Sequence, residues 1–281
     1  MTRILLTVLF IASAAGAQAA EPAATDLAPL AIGQAFTLKS VILGETRRIN
    51  VYAPPGFDAV IGSADTTRLP VLYMPDGGLA EDFLHVAGLV QIGAINGTMR
   101  PFLLVGIENT QRRRDLTPPT SDERDLAIAP KVGGSAAFRA FLRDELMPVI
   151  GTRYRITGET AIVGESLAGL FAVESFLVEP GLFDTVVAID PSLWWNREDL
   201  VAHAATLLAA RDDAGGTLWM ASSNESDIAA AAAKLAAQVT TAGLGGVRCL
   251  YQPLPAETHL TIYHPAALLA FRAVFAPASG N

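Results

Sequence analysis

The hexapeptide GESLAG at 164–169 places a serine between a short apolar run and a stretch that suits a helix. A strand, a sharp turn and a helix start in this order form a nucleophile elbow, which lifts a serine hydroxyl out of a sheet. Small residues at Gly164, Ala168 and Gly169 let neighbouring backbone pass close to the turn. The usual motif has glycine where this chain has Ala168. The pattern predicts that Ser166 is a nucleophile and not only a helix cap.

A serine nucleophile needs a general base, and histidine is the commonest one. In such elbows the partners follow in the order serine, acid, histidine, each on a loop after a strand. Two of the four histidines, His259 and His264, lie beyond the last predicted strand. His264 precedes a proline and a helical run, which is typical of a cap. His259 is therefore the predicted base.

The acid has three candidates. The loop after the predicted strand at 217–221 carries Glu225 and Asp227. We favour Glu225, which is nearer the strand end, because Asp227 could equally cap the helix that follows. Asp190 is also allowed by chain order, although the adjacent Pro191 favours a turn. The carboxylate would hold the imidazole tautomer and stabilise the imidazolium.

The sequence PDGG at 75–78 follows the first predicted central strand, where hydrolases of this kind place an oxyanion donor. Glycine lets a backbone amide face a substrate without an intervening side chain. We therefore expect the oxyanion donors to be the amide of Leu167 and that of Gly77 or Gly78. A plain loop rich in turn formers is the alternative.

Two further loops leave the carboxyl ends of predicted strands, where open α/β sheets bind ligands. One contains three consecutive arginines ending at Arg114, and the other contains Trp194 and Trp195. Arginine would attract an anionic substrate, and tryptophan would stack on a planar one. The alternative is that the tryptophans pack the base of a loop and the arginines are solvated.

The elements that must position these residues are short apolar runs that alternate with helical stretches. Such alternation predicts a mostly parallel sheet with helices on both faces. Two β-favouring runs at 36–43 and 48–52 precede them and predict an antiparallel hairpin at a sheet edge. The predicted central strands lie at 69–74, 102–107, 160–163, 185–189, 217–221 and 247–252.

The first 19 of the 281 residues are a basic start, an apolar run and a small-residue cleavage site. This order predicts a secretory signal peptide, cleaved near Ala19, and so a periplasmic or secreted protein without a stable membrane anchor. Residues 20–34 should form a flexible lead-in. Residues 35–276 are enough for one α/β domain.

Composition argues against a nucleic-acid partner, an intrachain disulfide and a metal site. A net charge of −8 argues against nucleic acid, because phosphate binding needs a basic face. The single Cys249 excludes an intrachain disulfide. The four histidines show neither an HxxxH nor an HExxH spacing, so no metal is expected.

Taken together, the motifs resemble the esterase D-like family of α/β-hydrolases, and most of all its periplasmic siderophore trilactone esterases. The resemblance extends from about residue 36 to residue 275. The segments that carry it are RINVYAPPG at 48–56, PVLYMPDG at 70–77, VGI at 105–107, RDLTP at 114–118, GESLAG at 164–169, PSLWW at 191–195 and ETH at 257–259.

The resemblance implies an α/β-hydrolase fold, no cofactor, Ser166 as nucleophile and His259 as base. It supports Glu225 less firmly, since some relatives rely on a Ser–His pair. The expected activity is hydrolysis of a small-molecule carboxylic ester through an acyl-enzyme, with a siderophore trilactone as first substrate. An acyltransferase, or a hydrolase of carbohydrate esters or thioesters, is the alternative that the family also allows.

Overall fold

A computed structural model describes residues 27–211 and 215–277. The predicted signal peptide, and the first part of the predicted lead-in, lie outside the described residues. From Ile32 onward the described residues form one compact unit. Within the described part of the chain, no helix is both long and apolar enough to cross a bilayer.

An eight-stranded mixed sheet forms the centre of this unit, in the strand order β1-β2-β4-β3-β5-β6-β7-β8. β1 pairs antiparallel with β2, and β2 antiparallel with β4, whereas all later pairings are parallel. The predicted edge hairpin and mostly parallel sheet are confirmed. The strands are β1 (Gln34–Lys39), β2 (Thr46–Tyr52), β3 (Leu69–Pro75), β4 (Leu103–Ile107), β5 (Ile156–Glu165), β6 (Thr185–Ile189), β7 (Gly216–Ser222) and β8 (Val247–Pro253).

Helices cover both faces of the sheet, which is why β3, β4 and β6 are buried along their whole length and, apart from Thr185, apolar. The helices are α1 (Phe83–Ile95), α2 (Arg112–Asp115), α3 (Glu123–Ile128), α4 (Ser135–Phe141), α5 (Met147–Arg153), α6 (Leu167–Val178), α7 (Trp195–Ala209), α8 (Ser226–Ala242) and α9 (Tyr263–Val274). A π-helical turn, Leu142–Leu146, joins α4 to α5. One core cluster lies under α4 to α8, and the other lies under α1 and α9.

The carboxyl ends of β3, β5, β6, β7 and β8 meet at one edge of the sheet. Glu165, the last residue of β5, pairs with Ile189, the last of β6. The next residues, Ser166 and Asp190, therefore leave adjacent strands at the same level. This register is what brings a hydroxyl and a carboxylate together at the edge.

Candidate active site

Ser166 lies in the tight turn between β5 and α6, with φ 60° and ψ −119°. A non-glycine residue in this region is strained, and such strain is typical of a nucleophile elbow. A Cβ on Gly164 would lie 2.6 Å from the carbonyl carbon of Ala168, so the turn needs glycine there. The methyl group of Ala168 is fully buried beside it. The departure from the usual motif is thus accommodated by close packing.

His259 lies after β8, in the turn that precedes α9, and its ring faces Ser166. The distance from His259 Nε2 to Ser166 Oγ is 3.1 Å. The other candidate, His264, lies in the first turn of α9 with its ring 4.9 Å from that of His85. The structure therefore brings together the serine and the histidine that the sequence singled out.

The carboxylate on this histidine is Asp190 and not Glu225. Asp190 Oδ2 lies 2.6 Å from His259 Nδ1, and the Asp190 side chain is fully buried. Glu225 is exposed at the N-cap of α8, and Asp227 is exposed in its first turn. The preference for Glu225 was wrong because β6, and not β7, lies next to the strand that carries the nucleophile.

The loop after β7 has a different task, which is to hold Asp190. The Ser223 amide donates to Asp190 Oδ1 at 2.6 Å, and the Ser223 hydroxyl donates to Oδ2 at 2.8 Å. A carboxylate that accepts three donors is fixed in orientation. Since Asp190 accepts from Nδ1, the ring is the tautomer whose Nε2 can accept the Ser166 proton.

Charges around the imidazole favour its protonated form. The hydrogen bond to Asp190 raises the pKa of His259, and the nearby Glu165 and Glu225 carboxylates act in the same direction. Glu165 Oε1 lies 3.3 Å from His259 Nε2. Burial raises the pKa of Glu165 to about 7. No role for Glu165 is predicted from the sequence, although an ionisable residue directly before the nucleophile indicates a candidate site residue.

The backbone amides of Gly77 and Gly78, the two glycines predicted as oxyanion donors, have different hydrogen-bond partners. The Gly77 amide donates to the Ile107 carbonyl at 3.0 Å, and a Cβ on Gly77 would lie 2.3 Å from Gly106. Gly77 is therefore needed for close strand approach, and its assignment as a donor was wrong. The Gly78 amide donates to Glu81 Oε2 at 2.7 Å, so it can serve an oxyanion only when Glu81 moves away. Leu167 is the first residue of α6, where an amide has no intrahelical partner.

A half-buried ion pair lies beside the elbow. The Arg112 guanidinium donates from Nε and Nη2 to the two oxygens of Asp76, both at 2.8 Å. Asp76 is the residue after β3 and has φ 58°. Asn109 also donates to Asp76 and, at 2.9 Å, to Glu81. The first arginine of the run is thus fixed at the edge of the site.

Two of the three side chains predicted to contact substrate, Arg114 and Trp195, make hydrogen bonds within the protein. Arg114 donates to Asp115 at 2.6 Å and to Glu45 at 2.8 Å, and the hydrogen bond with Glu45 raises the pKa of Arg114. Trp195 is 1% exposed and donates to the Pro118 carbonyl at 2.9 Å. The Trp195 side chain is not available to a ligand, so that prediction is corrected, whereas Arg114 is 20% exposed and lines a groove with Arg113 and Lys131, so it stays a candidate. Trp194 is half-buried against the core and stays a candidate.

The strand order, the helices on both faces and the elbow at the carboxyl edge define an α/β-hydrolase fold. Residues 40–259 match the family described as "Putative esterase", so the chain belongs to this esterase family. The structure is similar to an IroE-like serine hydrolase from Shewanella oneidensis, with a TM-score of 0.77, 27% identity and coverage of 86% of this chain and 80% of that one.

Two curated relatives act on siderophores by name. Ferri-bacillibactin esterase BesA of Bacillus subtilis is 31% identical over 142 residues, which is 46% of this chain and 49% of BesA. A siderophore enterobactin esterase of Emericella nidulans is 31% identical over 108 residues, which is 35% of this chain and 36% of that protein. The chain thus aligns with half or less of the length of each.

Proposed function

We propose that this chain hydrolyses carboxylic esters through an acyl-enzyme on Ser166. The observation that carries the proposal is the unbroken hydrogen-bond chain from Asp190 through His259 to Ser166 Oγ. Membership of an esterase family supports it. Serine, histidine and buried carboxylate in this geometry are the arrangement that activates a hydroxyl for acyl transfer.

The reaction has two balanced halves. Ser166 Oγ forms a bond to the ester carbonyl carbon while its proton moves to His259 Nε2 and the carbonyl electron pair moves to oxygen. The tetrahedral species collapses, the alcohol leaves with the proton from Nε2, and Ser166 is acylated. Water then repeats the sequence, and Nε2 returns the proton to Ser166. Asp190 stabilises the imidazolium in both halves.

The developing oxyanion needs two donors near Ser166. The Leu167 amide is one, because it is at the positive end of α6 and follows the nucleophile directly. The Gly78 amide is the second when Glu81 is displaced. A substrate carbonyl that enters the site would compete with Glu81 for this amide.

The substrate class that we propose is a siderophore ester, with a catecholate trilactone first. The names of the relatives support this choice. A groove of about 300 Å³ supplies the matching charge, because Arg113 and Lys131 line it and both are exposed. No ion pair within the described part of the chain engages either cation, so both can meet an anionic ligand.

The test compares the purified protein with its Ser166→Ala variant on a catecholate trilactone, iron-free and iron-loaded, and on a short-chain aryl ester. Mass spectrometry follows the products. Faster opening of the trilactone by the wild type, with neither reaction in the variant, is the expected result. Cleavage of the aryl ester alone would remove the siderophore assignment, and an active variant would remove the mechanism. New esters formed from an added sugar or glycerol would instead indicate acyl transfer.

We also propose that residues 1–19 are a cleaved secretory leader and that residues 35–276 act as one domain in the periplasm or outside the cell. The proposal rests on the basic, apolar and small residues that follow one another in the leader. The mass of the mature N-terminus, recovered after expression with the leader, tests it. A protein that retains its first residues in the cytoplasmic fraction would contradict it.

A further inference from the structure

Glu165 brings a second oxygen to the nitrogen that must take the serine proton. Its Oε1 lies 3.3 Å from His259 Nε2, and Ser166 Oγ lies 3.1 Å from the same atom. The Glu165 side chain is only 17% exposed. The imidazole therefore has one carboxylate on Nδ1 and another beside Nε2, whereas the established arrangement needs only the first.

Among the described residues, the one ion-pair partner within 4.0 Å of Glu165 is the His259 ring, which is a cation when protonated. Arg112 acts on Glu165 at longer range and lowers its pKa, but its guanidinium is engaged by both oxygens of Asp76. The charged and titratable groups that act on Glu165 or His259 are Asp76, Arg112, Asp190, Glu225 and Tyr263.

We propose that Glu165 is a further catalytic residue, whose carboxylate beside Nε2 of His259 stabilises the imidazolium that forms during attack. The proposal rests on the proposed function. When Nε2 is protonated, its N–H lies toward the Ser166 oxygen, and the Glu165 carboxylate 3.3 Å from Nε2 stabilises the positive charge of the ring. When Nε2 is free, an ionised Glu165 leaves that nitrogen to Ser166.

This arrangement has two opposite consequences for rate. An ionised Glu165 makes His259 a stronger base, so the positive charge formed in the transition state is stabilised. It also keeps the resting imidazole protonated to higher pH, and a protonated imidazole cannot take the serine proton. Since burial raises the pKa of Glu165 to about 7, the two groups share protons near neutrality and titrate as a pair.

The test is Glu165→Gln, which keeps the size of the side chain and removes its charge. An opposite charge at this range shifts a pKa by about one unit or more, so the acid limb of kcat/KM should move about one pH unit lower. The rate on the alkaline plateau should fall by roughly threefold to tenfold, since part of the same interaction is lost from the transition state. The two pH profiles should therefore converge or cross at low pH.

Glu225→Gln is the matched control, because Glu225 is a carboxylate that acts on His259 without contacting it. Its acid limb should move much less. Glu165→Asp should restore part of the shift, and it provides a second carboxylate variant if the glutamine variant folds poorly. A general structural loss would lower the rate at all pH values and leave the limb in place.

An NMR titration of the His259 ring makes the outcome independent of turnover. The imidazole pKa should fall by about one unit in Glu165→Gln, since the ion pair beside Nε2 is gone. An unchanged ring titration together with an unchanged acid limb would overturn the proposal. Activity in Ser166→Ala would instead overturn the proposed function, and the ring titration would still report on the Glu165–His259 pair.

Discussion

Replacing Asp190 by asparagine is the most direct test of the corrected triad. The substitution keeps the shape of the side chain and removes the charge that the histidine faces. It also removes an acceptor, because the carboxylate accepts from His259 Nδ1, the Ser223 amide and the Ser223 hydroxyl. An amide has a single oxygen, so these three donors can no longer all be satisfied.

The magnitude follows from the role of the tautomer. If Nδ1 is no longer held as a donor, the ring can present a protonated Nε2 to Ser166, and general-base catalysis fails. In serine proteases the equivalent change lowers kcat by about 10⁴-fold, and we expect roughly 10³-fold to 10⁴-fold here. That is about 4–5.5 kcal/mol of transition-state stabilisation.

The assay is turnover of an aryl ester at 25 °C, with Glu225→Gln measured beside Asp190→Asn. Glu225→Gln should stay within about threefold of wild type, because this side chain is exposed and does not contact the ring. A buried donor left without a partner costs about 1–3 kcal/mol, so Asp190→Asn should also melt a few degrees lower. Thermal unfolding monitored by circular dichroism would show that the variant is folded at the assay temperature.

The pH profile provides a second readout of the same substitution. The hydrogen bond to Asp190 is the main cause of the raised pKa of His259. Any activity that remains in Asp190→Asn should therefore have its acid limb at lower pH than wild type. Full activity in Asp190→Asn, with the large loss in Glu225→Gln, would refute the corrected assignment and restore Glu225.

Gly164→Ala would put a methyl group 2.6 Å from the Ala168 carbonyl carbon, so we expect loss of folded, active protein; normal yield and turnover would contradict the packing argument. Arg113→Ala and Lys131→Ala should raise KM for a catecholate ester more than for a neutral aryl ester, and added salt should shrink the difference. Equal effects on both esters would exclude the groove. Asp115→Ala removes one of the two carboxylates that contact the buried Arg47 guanidinium, Glu45 being the other, and should lower the free energy of unfolding by roughly 2 kcal/mol in urea titrations; a loss well under 1 kcal/mol would refute the buried-pair argument.

The sheet could be predicted from the sequence because each of its central strands is a short apolar run with turn formers at its ends. The nucleophile and base could be predicted for a related reason. Ser166 follows such a run within a recognisable turn, and His259 is one of only two histidines beyond the last strand. These features depend on residues that are close together in the chain, so they can be recognised in the sequence.

The identity of the triad carboxylate depends on which strands are neighbours in the sheet. The order of the strands along the chain does not determine which strands are neighbours. Asp190 and Glu225 both follow strands, but only β6 lies beside β5. The same limit applies to Arg114 and Trp195. The local sequence around Arg114 does not indicate that its guanidinium will pair with two carboxylates. One of them, Glu45, is distant in sequence, and the other, Asp115, is adjacent.

The distribution of charge restricts how a siderophore ester could bind. Glu165 and Asp190 place two carboxyl groups in the immediate surroundings of Ser166, and Arg112 contacts only the Asp76 carboxylate and acts on Glu165 at longer range. A catecholate group placed there would be repelled, whereas a neutral ester carbonyl would not. The exposed cations Arg113 and Lys131 line a groove that Arg112 also lines and that includes neither Ser166 nor His259. A substrate that fits both conditions carries its anionic groups away from the scissile ester, as a trilactone with pendant catecholates does.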